Sequence, residues 1–183
     1  PGFFQLEIKD GHLYGSLVDV LNRAAPTMLL SIGMSIVIAT RGVDLSVGAV
    51  MAISGSIAGL LMNQGYSSLS LLLLLPLLAG IAAGAWNGLL VSTFGIQPIV
   101  ATLVLMVSGR GIAQLLTGGQ ILTFEHSGFA FLGGGYFLGL PFTATIVLFV
   151  FLVAATWTRK TALGLFTEAT GDNETASRYS GVP

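Results

Sequence analysis

Five stretches of the chain are apolar over lengths close to the roughly 20 residues that a helix needs to cross the hydrocarbon core of a bilayer. They cover residues 17–40, 45–62, 69–93, 96–116 and 136–157. Apolar residues continue all round each stretch instead of along one stripe, as in helices that face lipid or other helices on every side. Ten-residue segments of alternating apolar and polar character, the mark of a membrane barrel, are missing. The predicted fold class is therefore all-α: a polytopic α-helical membrane protein with about five transmembrane helices in this chain. Residues 1–16 are expected to be extracytoplasmic, 17–157 to hold the transmembrane helices, and 158–183 to lie in the cytoplasm, all within one transmembrane domain. The chain opens on Pro1 and stops at Pro183 inside a polar stretch, so it reads as an internal fragment of a longer protein.

Composition strengthens the membrane reading. Asp, Glu, Lys and Arg make up 8% of the 183 residues, whereas a soluble domain carries about a quarter. The apolar share is 54% and the mean hydropathy is +0.88. A net charge of −1 leaves no broad basic surface, so nucleic acid is not an expected partner. Cysteine is absent, which removes disulfides and thiolate metal sites. His12 and His126 are far apart, and a typical zinc site needs about three or four converging ligands, so no metal site is expected.

Orientation follows from Lys and Arg in short connections. Arg159 and Lys160 follow the fifth stretch directly and Arg178 lies further on, which places the tail in the cytoplasm. Counting back puts 117–135 outside, the 94–95 turn inside, 63–68 outside, Arg41 inside and the N-terminus outside. Glycines at 80, 84 and 88 in the third stretch and at 55 and 59 in the second repeat every four residues, a spacing that lets helices approach closely in lipid. Pro76 predicts a kink or a missing hydrogen bond in the third stretch.

Charge at membrane depth needs a partner or water. Between the first two stretches lies Arg41-Gly42-Val43-Asp44-Leu45-Ser46-Val47-Gly48. Two readings stand for it. In one it is a tight cytoplasmic turn in which Asp44 or Ser46 caps the second helix. In the other its backbone lines a cavity or gate, where irregular structure at depth is tolerated. Arg110, between Gly109 and Gly111 in the outer half of the fourth stretch, either snorkels to the headgroups or reaches a polar cavity. Asn87 and Gln97 are lesser polar residues, suited to helix–helix hydrogen bonds. Asp44, Ser46, Gly48, Asn87, Gln97 and Arg110 are the candidate residues of a path or gate. No phosphate-cradling loop, nucleophile elbow or metalloprotease motif occurs, so no catalysis is expected of this chain.

In its motifs the sequence resembles the inner-membrane permeases of bacterial ATP-binding cassette (ABC) importers for ribose, xylose, galactose and related sugars. The signature G-G-I-D-L-S-V-G of that family is similar to the segment from Arg41 to Gly48, with Arg41 in place of the first glycine. Gln97-Pro98-Ile99-Val100-Ala101-Thr102-Leu103 is similar to P-x-[FI]-[IV]-[AV]-T-L, and Arg110-Gly111 and Thr117-Gly118-Gly119 follow at matching distances. Thr161-Ala162-Leu163-Gly164, with Glu168-Ala169-Thr170-Gly171-Asp172-Asn173 and Ala176, resembles T-x-x-G…A-x-G-x-N-x-x-A-A, with Ser177 where a second alanine is usual and Thr170 where an apolar residue is usual. Asp10-Gly11-His12-Leu13-Tyr14-Gly15 and Leu21-Asn22-Arg23-Ala24-Ala25-Pro26 look most like galactofuranose-type permeases.

The resemblance implies a subunit about twice this length with roughly ten spans. It also implies a second permease subunit, identical or a paralogue, a cytoplasmic ABC ATPase that binds ATP and Mg, and a periplasmic sugar-binding protein. The implied function is passage of a monosaccharide, pentose or hexose, across the bacterial inner membrane, with galactofuranose among the candidates. No cofactor is implied for this chain itself. The tail then becomes a coupling segment. Glu168, Ala169, Gly171, Asn173 and Ala176 are its candidate residues, with Gly171 ending or bending a helix and Asn173 capping the next turn. Two other readings remain. An ion-coupled secondary transporter usually carries intramembrane acids, and here only Asp44 stands near a span interior. A membrane assembly protein without transport would not require Arg110 or the glycine-flanked Asp44.

Overall fold

A computed structural model describes residues 7–9, 12–123, 126–137 and 139–182. Each of the five apolar stretches contains a helix. In chain order the elements are β1 (Glu7–Lys9), β2 (His12–Tyr14), α1 (Ser16–Ala39), α2 (Val47–Asn63), α3 (Leu69–Ser92), α4 (Pro98–Thr117), α5 (Ser127–Gly134), β3 (Tyr136–Phe137), β4 (Leu140–Pro141), α6 (Phe142–Lys160), α7 (Ala162–Asp172) and α8 (Glu174–Tyr179). Helices α1, α3, α4 and α6 are long and apolar enough to cross a membrane. Helix α2 has 17 residues, about 25 Å of rise, at the lower end of the spanning range. The chain divides into two compact units, residues 42–126 and residues 1–41 with 127–183.

In the unit of residues 42–126, α2 packs against both α3 and α4. Its contact with α4 depends on small residues. Ala49 is buried, and a Cβ at Gly109 would stand 3.0 Å from the Ala49 Cβ and 3.2 Å from the Ile53 Cδ1. Only hydrogen at position 109 lets the two backbones come this close. Pro76 does not interrupt α3, and the Ser54 hydroxyl of α2 donates to its carbonyl at 3.1 Å. The expected glycine face is only partly used. A Cβ at Gly80 would touch Ser54 and Val50 at 3.7 Å, but Gly55, Gly84 and Gly88 meet nothing within 4 Å. The reason is rotational: an i, i+4 row drifts round a helix with 3.6 residues per turn, and here the tight contact falls on α4 instead.

In the other unit, α1 and α6 pack side by side. At one end Thr143 donates to Asn22 Oδ1 at 2.6 Å, and the Leu13 N–H reaches the Gly139 carbonyl at 2.9 Å. The rings of Tyr14 and Tyr136 lie 5.2 Å apart. Partial burial, then the neighbouring Tyr14 and Asp19, raises the Tyr136 phenol above its ordinary value. At the other end the last turn of α1 meets α7, which follows α6. The two helices thus run in the same direction, the relation required of the first and fifth of five successive crossings.

The start of the fifth span needs correcting. Residues 136–141 were expected to be helical, but β3 and β4 form a small antiparallel hairpin there and α6 begins only at Phe142. Gly135 follows the end of α5, Gly139 takes φ 81°, and Pro141 supplies no N–H. The Phe142 N–H closes the turn onto the Gly135 carbonyl at 2.8 Å. The preceding stretch, expected to be an external loop, contains the short helix α5.

Candidate functional site: a polar node and a seated tail

The turn before α2 gathers polar groups around one serine. Ser46 is the N-cap residue of α2 and is 1% exposed, so its hydroxyl and N–H both need partners. Asp44 Oδ1 supplies both, accepting from the Ser46 N–H at 2.8 Å and from the Ser46 hydroxyl at 2.6 Å. With its proton committed to Asp44, the Ser46 oxygen can only accept, and Asn87 Nδ2 donates to it at 3.1 Å. That order of bonds fixes which way the amide points. Asn87, buried in α3, is left with an Oδ1 that has no hydrogen-bond partner among the described residues. A buried carbonyl oxygen without a donor is costly and uncommon. Thr102 of α4, also buried, closes the other side: its hydroxyl lies 2.9 Å from the Pro98 carbonyl and 3.3 Å from that of Val43.

Three of the six expected path residues therefore meet: Asp44, Ser46 and Asn87. The capping expectation is not met as stated: the Ser46 side chain makes no cap hydrogen bond to α2, and Asp44 accepts from the N–H of the cap residue itself, one position before the helix. The other three do not join the node through any bond. Gly48 is exposed in the first turn of α2. Gln97 is exposed, and its carbonyl starts α4 by accepting from Val100 and Ala101. Arg110 is exposed on α4 about 12 Å further along the helix from Thr102. Thr102 was not among the expected residues, although it lies inside the Gln97–Leu103 motif and its i+4 spacing from Pro98 was legible.

The tail is seated by glycines. The buried residues of α7 are Gly164 and Gly171, seven apart and so on one face. A Cβ at Gly164 would strike the Thr158 carbonyl oxygen, and one at Gly171 the Ala39 carbonyl oxygen at the end of α1. Thr161 caps the start of α7 by accepting from the Gly164 N–H at 3.3 Å. At the far end Asn173 Oδ1 accepts from the Ala176 N–H at 2.9 Å and begins α8, as expected. Gly171 lies within α7, whose last residue is Asp172. Glu168 and Ala176 are exposed, while Ala169 is half-buried and its carbonyl accepts from the Asn173 N–H. Leu163 and Leu165, on opposite flanks of the buried Gly164, are 57% and 63% exposed, so the exposed aliphatic side chains of α7 lie N-terminal to 168–176.

A groove of about 490 Å³ lies between α1 and α6, lined by Leu21, Met28, Ile32, Val147 and Phe151 among others. Its Ser31 hydroxyl returns to the Thr27 carbonyl, so the groove offers packing surface more than ligand chemistry.

Residues 16–183 match the family described as the permease component of branched-chain amino acid transport systems. The chain belongs to this permease family. It is 52% identical over 182 residues to the galactofuranose transporter permease protein YtfT of Escherichia coli (strain K12), covering 100% of this chain and 53% of that one. It is 36% identical over 176 residues to the fructose import permease protein FruF of Bifidobacterium longum (strain NCC 2705), covering 94% and 49%. With the ribose import permease protein RbsC of Haemophilus influenzae it shares 34% over 188 residues, covering 100% and 55%. The chain thus spans about half the length of the curated relatives it matches. No solved structure matches it.

Proposed function

We propose that this permease chain forms part of the translocation path of an ABC importer for a monosaccharide in the bacterial inner membrane, with galactofuranose as first candidate. The observation that carries the reading is the 52% identity to a galactofuranose transporter permease over the whole of this chain. The fructose and ribose relatives support sugar as the cargo class. The expected assembly pairs this subunit with a second permease, a periplasmic binding protein, and a cytoplasmic ATPase that holds ATP and Mg.

Within that assembly Asp44, Ser46 and Asn87 serve the path. Asp44 and Ser46 hold the Asn87 amide in one orientation, and its unpartnered Oδ1 suits a donor such as a sugar hydroxyl. Arg110 and Gln97 are proposed to act at other levels of the path, and Gly48 to keep its wall open. Helices α7 and α8 are proposed to dock on the ATPase. Leu163 and Phe166, three apart on α7, give an apolar face, and Glu168, Asp172 and Glu174 are the exposed charges nearby. An ion-coupled mechanism has less support, because Asp44 is the only acid the node offers.

The full-length permease should be reconstituted with its ATPase and binding protein in liposomes. Galactofuranose uptake driven by ATP is the expected result, with little competition from ribose or fructose. Uptake driven instead by a proton or sodium gradient without ATP would overturn the reading.

A further inference from the structure

We propose that Arg41 is a positioning residue that locks the α7–α8 tail to the end of α1, so that movement of the tail is delivered to that helix. The proposal rests on the reading of the chain as the permease of an ATP-driven importer.

Arg41 is the only residue other than glycine with a positive φ among the described residues, at 60°. A side chain in the left-handed region costs energy that glycine would avoid. The conformation follows from its place just past α1, where Thr40 is the C-cap and the Arg41 N–H closes onto the Ile38 carbonyl at 2.9 Å. What offsets the cost lies across the turn. Arg41 Nη2 donates to the Asp172 carbonyl at 2.7 Å. Asp172 is the last residue of α7, where carbonyls lack helical partners and the helix dipole is negative. The guanidinium therefore caps the C-terminus of α7 with a charge-assisted bond.

A second contact sits one residue away. Gly171 is buried with its Cα against the Ala39 carbonyl, so close that any side chain would collide with backbone. Backbone contact at Gly171 and the guanidinium bond at Asp172 fix α7 to α1 at two adjacent points. At its other end α7 is fixed to α6 through Gly164 and Thr158. Helix α7 is thus a bar seated on the ends of two long helices, with Arg41 as the clamp on the α1 side. From Arg41 the chain continues directly into Gly42 and the turn that carries Asp44. A push on the tail is then applied to the end of α1, next in sequence to the polar node.

Both Arg41 and Asp172 are exposed, so the bond adds little to overall folding. That separates a positioning role from a structural one, because Arg41→Gly removes the clamp while relieving the backbone. In the reconstituted importer, Arg41→Gly should keep the permease in the membrane with an unchanged or higher melting temperature. Sugar moved per ATP hydrolysed should fall about fivefold or more, the scale of a typical coupling between sites. Arg41→Lys, which keeps a charge and a donor, should retain most of the wild-type ratio. Spin labels at Ile38→Cys and Ser180→Cys give a readout that needs no transport: their distance distribution should broaden in Arg41→Gly. An unchanged distribution, or an unchanged ratio in an importer that works, overturns the proposal. A loss of transport that only follows a loss of melting temperature overturns it too. If the wild type moves no sugar with ATP, the importer reading fails, and the spin-label result alone decides whether Arg41 clamps the tail.

Discussion

At the scale of single residues, the node is a chain of committed protons. Asp44 is the acceptor, Ser46 passes the bond on, and Asn87 ends it with an oxygen unused. Removal of the first and last members should have different consequences. Asp44→Ala strips partners from both the N–H and the hydroxyl of Ser46, a loss comparable to deleting a helix cap, about 1 kcal/mol. Asn87→Ala loses one hydrogen bond but also removes the buried orphan oxygen, so it should destabilise by less than about 1 kcal/mol. Thermal unfolding in detergent should therefore rank Asp44→Ala below Asn87→Ala. Sugar uptake should reverse that order of concern: if Oδ1 meets the cargo, Asn87→Ala loses transport out of proportion to its small loss of stability. Uptake that simply tracks melting temperature in both variants would leave the node a structural cap. The sequence exposed Asp44 and Ser46 because a polar cluster between apolar runs is conspicuous. It did not link them to Asn87, 41 residues away, because only helix packing decides which polar side chains meet.

At the scale of elements, the long apolar stretches were legible almost to the residue, since length and continuous apolarity are what a bilayer demands. The misplaced start of α6 shows the limit. Residues 136–141 are apolar enough to join the span, but backbone chemistry at Gly139 and Pro141 decides the conformation there, and an apolar pattern does not record it. The glycines show the same limit from another side. Spacing alone marked Gly80, Gly84 and Gly88 as equals, and it left Gly109 as merely the neighbour of Arg110. Space around each Cβ separates them. Gly109→Ala should overpack the α2–α4 contact and destabilise by about 1–3 kcal/mol, whereas Gly84→Ala, with open space around it, should gain about 0.5–1 kcal/mol from helix propensity. Melting temperatures of the two variants, measured side by side, should move in opposite directions. A fall for both would mean that Gly84 is covered by a helix outside residues 42–126.

At the scale of the whole molecule, the orientation rests on few charges and gains weight from the fold. Arg159 and Lys160 end α6, and the Arg41 turn meets α7 just beyond them, so these three cations stand at one end of the two long helices of the 1–41 and 127–183 unit, against Arg23 alone near the start of α1. At the other end lie the paired hairpins, Tyr14 and Tyr136, as aromatic rings often do at a membrane–water interface. Positive charge marks the cytoplasmic side, so α7 and α8 should be cytoplasmic and α5 external. The absence of cysteine makes the test direct. Single cysteines at Ser127, the first residue of α5, and at Ser180, just past α8, should be labelled from opposite sides of the membrane by an impermeant maleimide in intact cells and in inverted vesicles. Ser127→Cys should react from outside only, and Ser180→Cys from the cytoplasmic face only. The reverse pattern would put the tail out of reach of a cytoplasmic ATPase and remove the basis for coupling through α7. Labelling of both positions from the same side would instead mean that α6 does not cross the membrane, and the five-crossing count would fail.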